Sequence, residues 1–379
     1  MRIDELSPFR FRNLKFENLT FGTNINIFFG ENGQGKSNLL EAIHLVFSLR
    51  SFRPTESHSY LTNSFSQTEP CRLRAKVERK QLISKIEIQF LQGRKKAIAN
   101  GKSVTASVLT NQYPAVVFSP DSLNCIKLGP EFRRHLIDDF LATTSNKNHR
   151  IIEDYRKLLR SRNRLLREFA GEPEKLKAAW DLYQSINEPF ISASIRLTWA
   201  RLECIREIEP FFRSSLRTLF KESDLAVGID YCVSGKSVRG HSLDQIDNAL
   251  RQRALELQII EASRGISLVG PQKHEVCFLW RGSDSRFYSS QGQQRAIILA
   301  FKMAQIRFHY ERFGEYPVLL LDDVLSELDL ERRNQLLDFL ANLDSQIFLT
   351  TTDLAFDRKF SESDLSQFEV KDGFIAQTK

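Results

Sequence analysis

The chain has 379 residues, is 41% apolar, 27% charged and 11% aromatic, and carries a net charge of +7 from 54 Lys+Arg against 47 Asp+Glu. That balance excludes a low-complexity or disordered chain, and no apolar run approaches the roughly 20 residues that cross a bilayer. The length exceeds what one simple core organises, so two lobes are expected, and the excess of base points to an anionic partner only where it is clustered.

Asp4 and Glu5 stand where a secretory leader would be basic, so a cytoplasmic protein is expected. Cys71, Cys125, Cys204, Cys232 and Cys277 form no CxxC pair and no metal-ligand spacing, and they read as free thiols of a reducing compartment.

The first informative element is a buried strand, Asn24-Ile25-Asn26-Ile27-Phe28-Phe29, running into Gly30-Glu31-Asn32-Gly33-Gln34-Gly35-Lys36-Ser37. Apolar residues at 39, 40, 43, 46 and 47 then recur with helical spacing. Strand, GxxxxGKS and helix in that order is the context of a P-loop, where glycines let backbone N–H groups wrap a phosphate chain. Lys36 then reaches the β- and γ-phosphates of a nucleoside triphosphate, and Ser37 offers its hydroxyl to Mg²⁺.

Further along, Arg94, Lys95, Lys96 and Lys102 flank an Asn100-Gly101 hairpin turn, a weak candidate for phosphate contact. The segment from Arg156 to Arg167 holds six cations and no acid. Tyr155, Leu158, Leu159, Arg162, Leu165, Leu166 and Phe169 share one face of the helix it forms. Arg156, Arg160, Arg162, Arg164 and Arg167 are candidate contacts to a DNA backbone, with a plain solvated helix face as the competing reading. A second helix, from about 175 through Trp180 to Phe212, pairs with it and is expected to kink at Pro189.

Tyr288-Ser289-Ser290-Gln291-Gly292-Gln293-Gln294-Arg295 precedes an apolar helix at 296–304. Alone, this is a polar N-cap with a flexible glycine. Pro317-Val318-Leu319-Leu320-Leu321-Asp322-Asp323 is an apolar strand closing on two carboxylates. Asp322 is placed to hold Mg²⁺, and Asp323 to orient an attacking water.

P-loop, Ser-x-Gly-Gln and carboxylate strand, in this order, resemble the ABC-type ATPases. That resemblance makes Ser290, Gln291, Gly292 and Gln293 the signature that meets the γ-phosphate on an opposite subunit. It makes Leu325-Ser326-Glu327-Leu328-Asp329 the D-loop. It implies a homodimer closing on two ATP molecules, with Gly30 to Ser37 and Asp329 in the nucleotide site. The spacing leaves no room for the long coiled coils of SMC proteins, and Thr350-Thr351-Thr352-Asp353 stands where transporters carry a switch His.

Within that class the chain resembles the RecF family. The resemblance rests on Phe11-Arg12-Asn13, the run from Gly30 to Leu45 followed by Arg50-Ser51-Phe52-Arg53, and Phe118-Ser119-Pro120-Asp121-Ser122-Leu123 with Arg133, Arg134 and Asp138. Arg162-Asn163 with Leu165-Leu166, Ser290 to Arg295, Val318 to Asp329 and the Thr-Thr-Thr-Asp ending complete it. The family's GPHRDD-like segment is here Gly270-Pro271-Gln272-Lys273-His274-Glu275.

The fold class expected is therefore α/β. Residues 1–125 and 296–379 form an ABC-type ATPase lobe with a mixed sheet, and 126–295 form an inserted helical lobe ending in the signature. The resemblance implies an ATP-closed dimer on double-stranded DNA and on single-strand/double-strand junctions, helping RecA load with RecO and RecR. Hydrolysis is expected to be slow, because Asp323 stands where transporters have Glu. An ABC-type ATPase of another DNA context, such as defence against foreign DNA, or one acting away from DNA, stays open at this point.

Overall fold

The computed structural model describes residues 1–53, 70–91, 93–171, 180–222, 225–353 and 359–379. The chain divides into two compact units, Met1–Asn124 with Ile298–Lys379, and Cys125–Ile297.

The first unit holds a six-stranded sheet in the order Phe374–Gln377, Leu365–Lys371, Ile25–Phe29, Ile347–Thr351, Val318–Asp322, Ala115–Phe118. All neighbours are parallel except the hairpin of the first two. Its central strands are apolar without alternation because both faces are covered, and Val318–Asp322 is buried throughout. Phe28 stacks on Phe368 at 4.8 Å, and Phe21 meets Phe348 edge-on at 5.0 Å.

A second six-stranded sheet is antiparallel, in the order Leu19–Thr20, Arg2–Phe9, Cys71–Arg79, Leu82–Leu91, Arg94–Ala99, Lys102–Val104. Here residues alternate strictly. Leu73, Ala75 and Val77 point inward with Ile86 and Ile88, while Arg72, Arg74 and Lys76 point the other way. Asn100 and Gly101 both have positive φ, 49° and 79°, and close the predicted hairpin. One apolar core joins both sheets to the helix Lys36–Ser48 through Leu39, Leu40, Ile43, Val46 and Phe47.

The second unit contains the helices Pro130–Thr144, Asn146–Glu168, Trp180–Phe220 and Leu243–Arg264. Trp180–Phe220 runs 41 residues with Pro189 and Pro210 inside it, so Pro189 does not end the helix. The expected start near 175 lies outside the described residues. Beside the helices stands a four-stranded antiparallel sheet, Lys236–Ser237, Val227–Val233, Glu275–Trp280, Ser283–Asp284. The sequence reading named only helices here. Gly228 and Asp230 dilute the strand pattern of Val227–Val233, and its partner lies more than forty residues downstream.

Among the described residues no helix is long and apolar enough to cross a membrane. Cys71, Cys125, Cys204 and Cys277 are buried, and Cys232 is half-buried.

Candidate nucleotide site

The P-loop joins the strand Ile25–Phe29 to the helix Lys36–Ser48, and its backbone needs glycine. Gly30 has φ 149°, and a Cβ there would lie 2.3 Å from the Val370 carbonyl oxygen. Gly35 has φ 116°, and its Cβ would lie 2.9 Å from Asn13 Oδ1. Gly33, at φ 81°, faces open space, as a loop built to wrap a ligand requires. Glu31 and Asn32 are exposed at the loop's tip.

The helix that follows has no side-chain N-cap and no acid in its first turn. Its first N–H groups therefore stand as donors for an anion, reinforced by the helix dipole. Lys36 is buried, and its Nζ donates to the Gly30 carbonyl and, at 2.7 Å, to that of Glu31. Burial lowers its pKa, against the opposing pull of Asp323 and Asp322.

Asp322 ends the strand Val318–Asp322 and is 6% exposed. The Ser37 hydroxyl hydrogen-bonds it, and Thr350 Oγ1 donates to its Oδ1 at 3.1 Å. Burial raises the Asp322 carboxyl above the ordinary range, with Ser37, Thr350 and Arg53 pulling it back. The chain turns off the strand at Asp323 with φ 49°, a left-handed conformation that costs a non-glycine residue about 1 kcal/mol. The Asp323 amide donates to Thr350 Oγ1 at 2.9 Å, so one threonine positions both carboxylates. Lys36, Ser37, Asp322 and Asp323 thus converge in one place. An uncapped helix start behind a glycine loop fits a phosphate chain, and the Ser37 and Asp322 oxygens are the hard donors that fit Mg²⁺.

A supporting shell surrounds the loop. Glu41, fully buried in the helix, accepts from Arg12 in a two-pronged pair at 3.1 Å each, from Arg53 at 2.8 Å and from Ser51. These partners outweigh burial and hold its carboxyl below the usual range. Asn13 Nδ2 donates to the Gln34 carbonyl at 3.2 Å, and Asn38 donates to Asn13 Oδ1 at 2.7 Å. Gln34 Oε1 takes the Asp372 amide at 2.6 Å, and the Gln34 carbonyl takes the Gly373 amide at 2.9 Å. Sequence reasoning assigned none of these roles. The available signal was Glu41 itself, a lone acid among Leu39, Leu40, Ala42 and Ile43.

Asp329 caps the helix Leu330–Ala341 by accepting the Arg332 amide at 2.9 Å, and its side chain is 53% exposed.

The signature residues lie in the second unit. Ser290 and Gln293 form a capping box at the start of the helix Gln291–Phe313. The Ser290 amide donates to Gln293 Oε1 at 2.8 Å, and the Gln293 amide to Ser290 Oγ at 3.3 Å. Ser290, Gln291 and Gly292 are exposed, and a Cβ on Gly292 would meet nothing within 4 Å. Buried Gln294 secures the segment by donating to the Ser285 carbonyl at 2.9 Å.

The candidate DNA contacts separate into two groups. Arg160, Arg164 and Arg167 are exposed on the helix Asn146–Glu168. Arg156 is half-buried and pairs with Asp138 at 3.5 Å. Arg162 is corrected: its side chain is 0% exposed and bonds Glu261 at 2.7 Å, Ser267 at 2.8 Å, Tyr183 at 2.9 Å and Asn187 at 3.1 Å. It lies on the apolar face of its helix, where a charge is held by a buried partner rather than by DNA. In the first unit Arg94, Lys96 and Lys102 are exposed, whereas Lys95 is half-buried near the Leu49 carbonyl at 3.5 Å.

The segment Gly270–Glu275 is interior scaffolding of the second unit. Gln272 bonds Tyr155, His274 Nδ1 lies 3.0 Å from Tyr231 Oη, and Glu275 pairs with Arg133 at 2.9 Å.

The family model described as RecF/RecN/SMC N terminal domain matches residues 2–369. The DNA replication and repair protein RecF of Halothermothrix orenii is 31% identical over the whole of both chains. That of Geobacter sp. strain M21 is 32% identical over 99% of this chain and 100% of its own. A solved structure of the recombination mediator RecF with ATP, of the RecFOR pathway, superimposes with a TM-score of 0.84 at 29% identity, covering 100% of this chain and 97% of that one. An Smc head bound to the winged-helix domain of ScpA matches with a TM-score of 0.51 at 16% identity, covering 99% and 97%, which is a likeness of fold.

Proposed function

The chain belongs to the RecF family of the RecF/RecN/SMC proteins, and from that membership we propose that it is a DNA-dependent molecular clamp driven by ATP. It is a DNA replication and repair protein with an ATP-dependent role in the RecFOR pathway.

The observation that carries the reading is the convergence of an uncapped helix start, Lys36, and an Asp322 carboxylate bonded to Ser37. ATP with Mg²⁺, when bound, supplies the phosphoryl group whose loss resets the clamp. The P-loop amides and Lys36 would hold phosphate oxygens, and Ser37 and Asp322 would hold the metal ion. Asp323, fixed by Thr350, orients water and takes its proton. A carboxylate one methylene shorter than Glu reaches that water poorly, so hydrolysis is slow and the closed state long-lived.

Ser290, Gln291, Gly292 and Gln293 complete the site of a second copy, and Asp329 contributes to the nucleotide site, so the active form is a homodimer around two ATP. The dimer binds duplex DNA and single-strand/double-strand junctions through backbone contacts, with Arg160, Arg164 and Arg167 among its cations. It acts in the cytoplasm with RecO and RecR to help RecA load.

The test is complementation between two inactive variants. Lys36→Ala and Ser290→Arg each lose DNA-stimulated ATP hydrolysis. Mixed, they form heterodimers in which the intact P-loop of one copy faces the intact signature of the other, and part of the activity returns. A mixture as inactive as its components contradicts the shared site.

A further inference from the structure

The triphosphate end of the site is marked on one side, where Lys36 and Ser37 face Asp322 and Asp323. The P-loop is bordered by other groups as well. Asn13 sits against Gln34, Gly35 and Asn38, and the Asp372–Gly373 turn is bonded to Gln34 through two amides.

Two side chains wait there without an assigned task. Phe374, the first residue of the edge strand Phe374–Gln377, is 59% exposed. Its neighbour Ile375 packs on the core, so strand alternation turns Phe374 to the other face. Lys15 Nζ lies 5.3 Å from the Phe374 ring centroid, and the Lys15 amide donates to the Gly373 carbonyl at 2.8 Å. Gly373 has φ 83°, and a Cβ on it would lie 1.7 Å from the Asn13 carbonyl oxygen. The turn is therefore pressed against the Asn13 loop, and the positions of Phe374 and Lys15 follow from that of the P-loop. A large aromatic left in water beside a cation, on a rigid turn tied to a phosphate loop, is the arrangement that stacks a heterocyclic base.

We propose that Phe374 and Lys15 form the base platform of the nucleotide site, with the purine stacked on the Phe374 ring. This rests on the nucleotide reading above and adds the residues that hold the base. Binding energy at the phosphates is blind to the base, so any preference for ATP over the bare phosphate chain arises at this platform.

The experiment is equilibrium binding of ATP and of inorganic tripolyphosphate, with Mg²⁺, to the full chain and to Phe374→Ala, Phe374→Tyr and Lys36→Ala. Phe374→Ala is expected to weaken ATP roughly tenfold, the scale of one base–aromatic stack, and to leave tripolyphosphate unchanged. Phe374→Tyr keeps the ring and restores ATP binding. Wild-type affinity for ATP in Phe374→Ala overturns the proposal. Equal losses of ATP and tripolyphosphate also overturn it, since the hairpin then only supports the loop. Wild type that binds ATP no better than Lys36→Ala overturns the nucleotide reading itself, and the platform with it.

Discussion

Glu41 illustrates how single residues organise the nucleotide site. Its carboxylate is wholly buried and meets two guanidiniums and a hydroxyl, tying the Phe11-Arg12-Asn13 turn and the Ser51–Arg53 segment to the P-loop helix. Arg12 and Arg53 stay partly exposed, with side-chain exposures of 18% and 31%, which moderates the cost of removing their partner. Glu41→Ala is predicted to destabilise the first unit by about 2–4 kcal/mol, measured by urea unfolding, and to weaken ATP binding because Arg53 also bonds Asn38 at 2.5 Å. Lys36 and Ser37, and separately Asp322, can be singled out in the sequence because each sits in a contiguous motif that ends an apolar run. The role of Glu41 cannot, because its partners lie 29 and 12 residues away and nothing local names them.

At the scale of elements, the helix Asn146–Glu168 carries arginines with opposite tasks. Exposed Arg164 is free to meet a phosphate backbone, whereas Arg162, two residues earlier, neutralises buried Glu261. Arg162→Ala leaves a buried carboxylate unpaired and is predicted to cost about 3–5 kcal/mol of stability in the second unit. Arg164→Ala leaves the urea midpoint in place and lowers duplex affinity with a shallower salt dependence. The amphipathic period was visible in the sequence, and it already set Arg162 on the face of Tyr155 and Leu166. Only the partner on the helix Leu243–Arg264 decides that this arginine is structural. Two buried histidines, His274 and His309, add a pH response. Burial, with Arg201 and Arg134 close by, pushes His274 down to about 3, and burial pushes His309 of the first unit down to about 4. Both are neutral when folded, and the unfolded chain takes up their protons below about pH 6.5. Stability is therefore full above that pH and falls as pH drops toward the folded values. His274 alone accounts for about 2–3 kcal/mol at pH 4.5, and His274→Gln should flatten the decline, as read by urea unfolding between pH 7 and 4.5.

For the whole molecule, the motifs proposed to serve ATP divide between the two units. The P-loop and carboxylate strand belong to the first unit, and Ser290 to Gln293 belong to the second. Motif order along the chain was enough to place it among ABC-type ATPases, because that order reflects the topology of the parallel sheet. The DNA surface was far less legible, since exposure is a property of the folded chain and half-buried cations such as Arg156 and Lys95 look like free ones in sequence. The central claim is that ATP, held by the P-loop and closed by the signature, makes the DNA-binding form. Its most direct test is the affinity for a labelled duplex, with and without ATP, of wild type, Lys36→Ala and Ser290→Arg. ATP-dependent binding by wild type that is lost in both variants is the result predicted here. Binding that ignores ATP and survives both substitutions would contradict it.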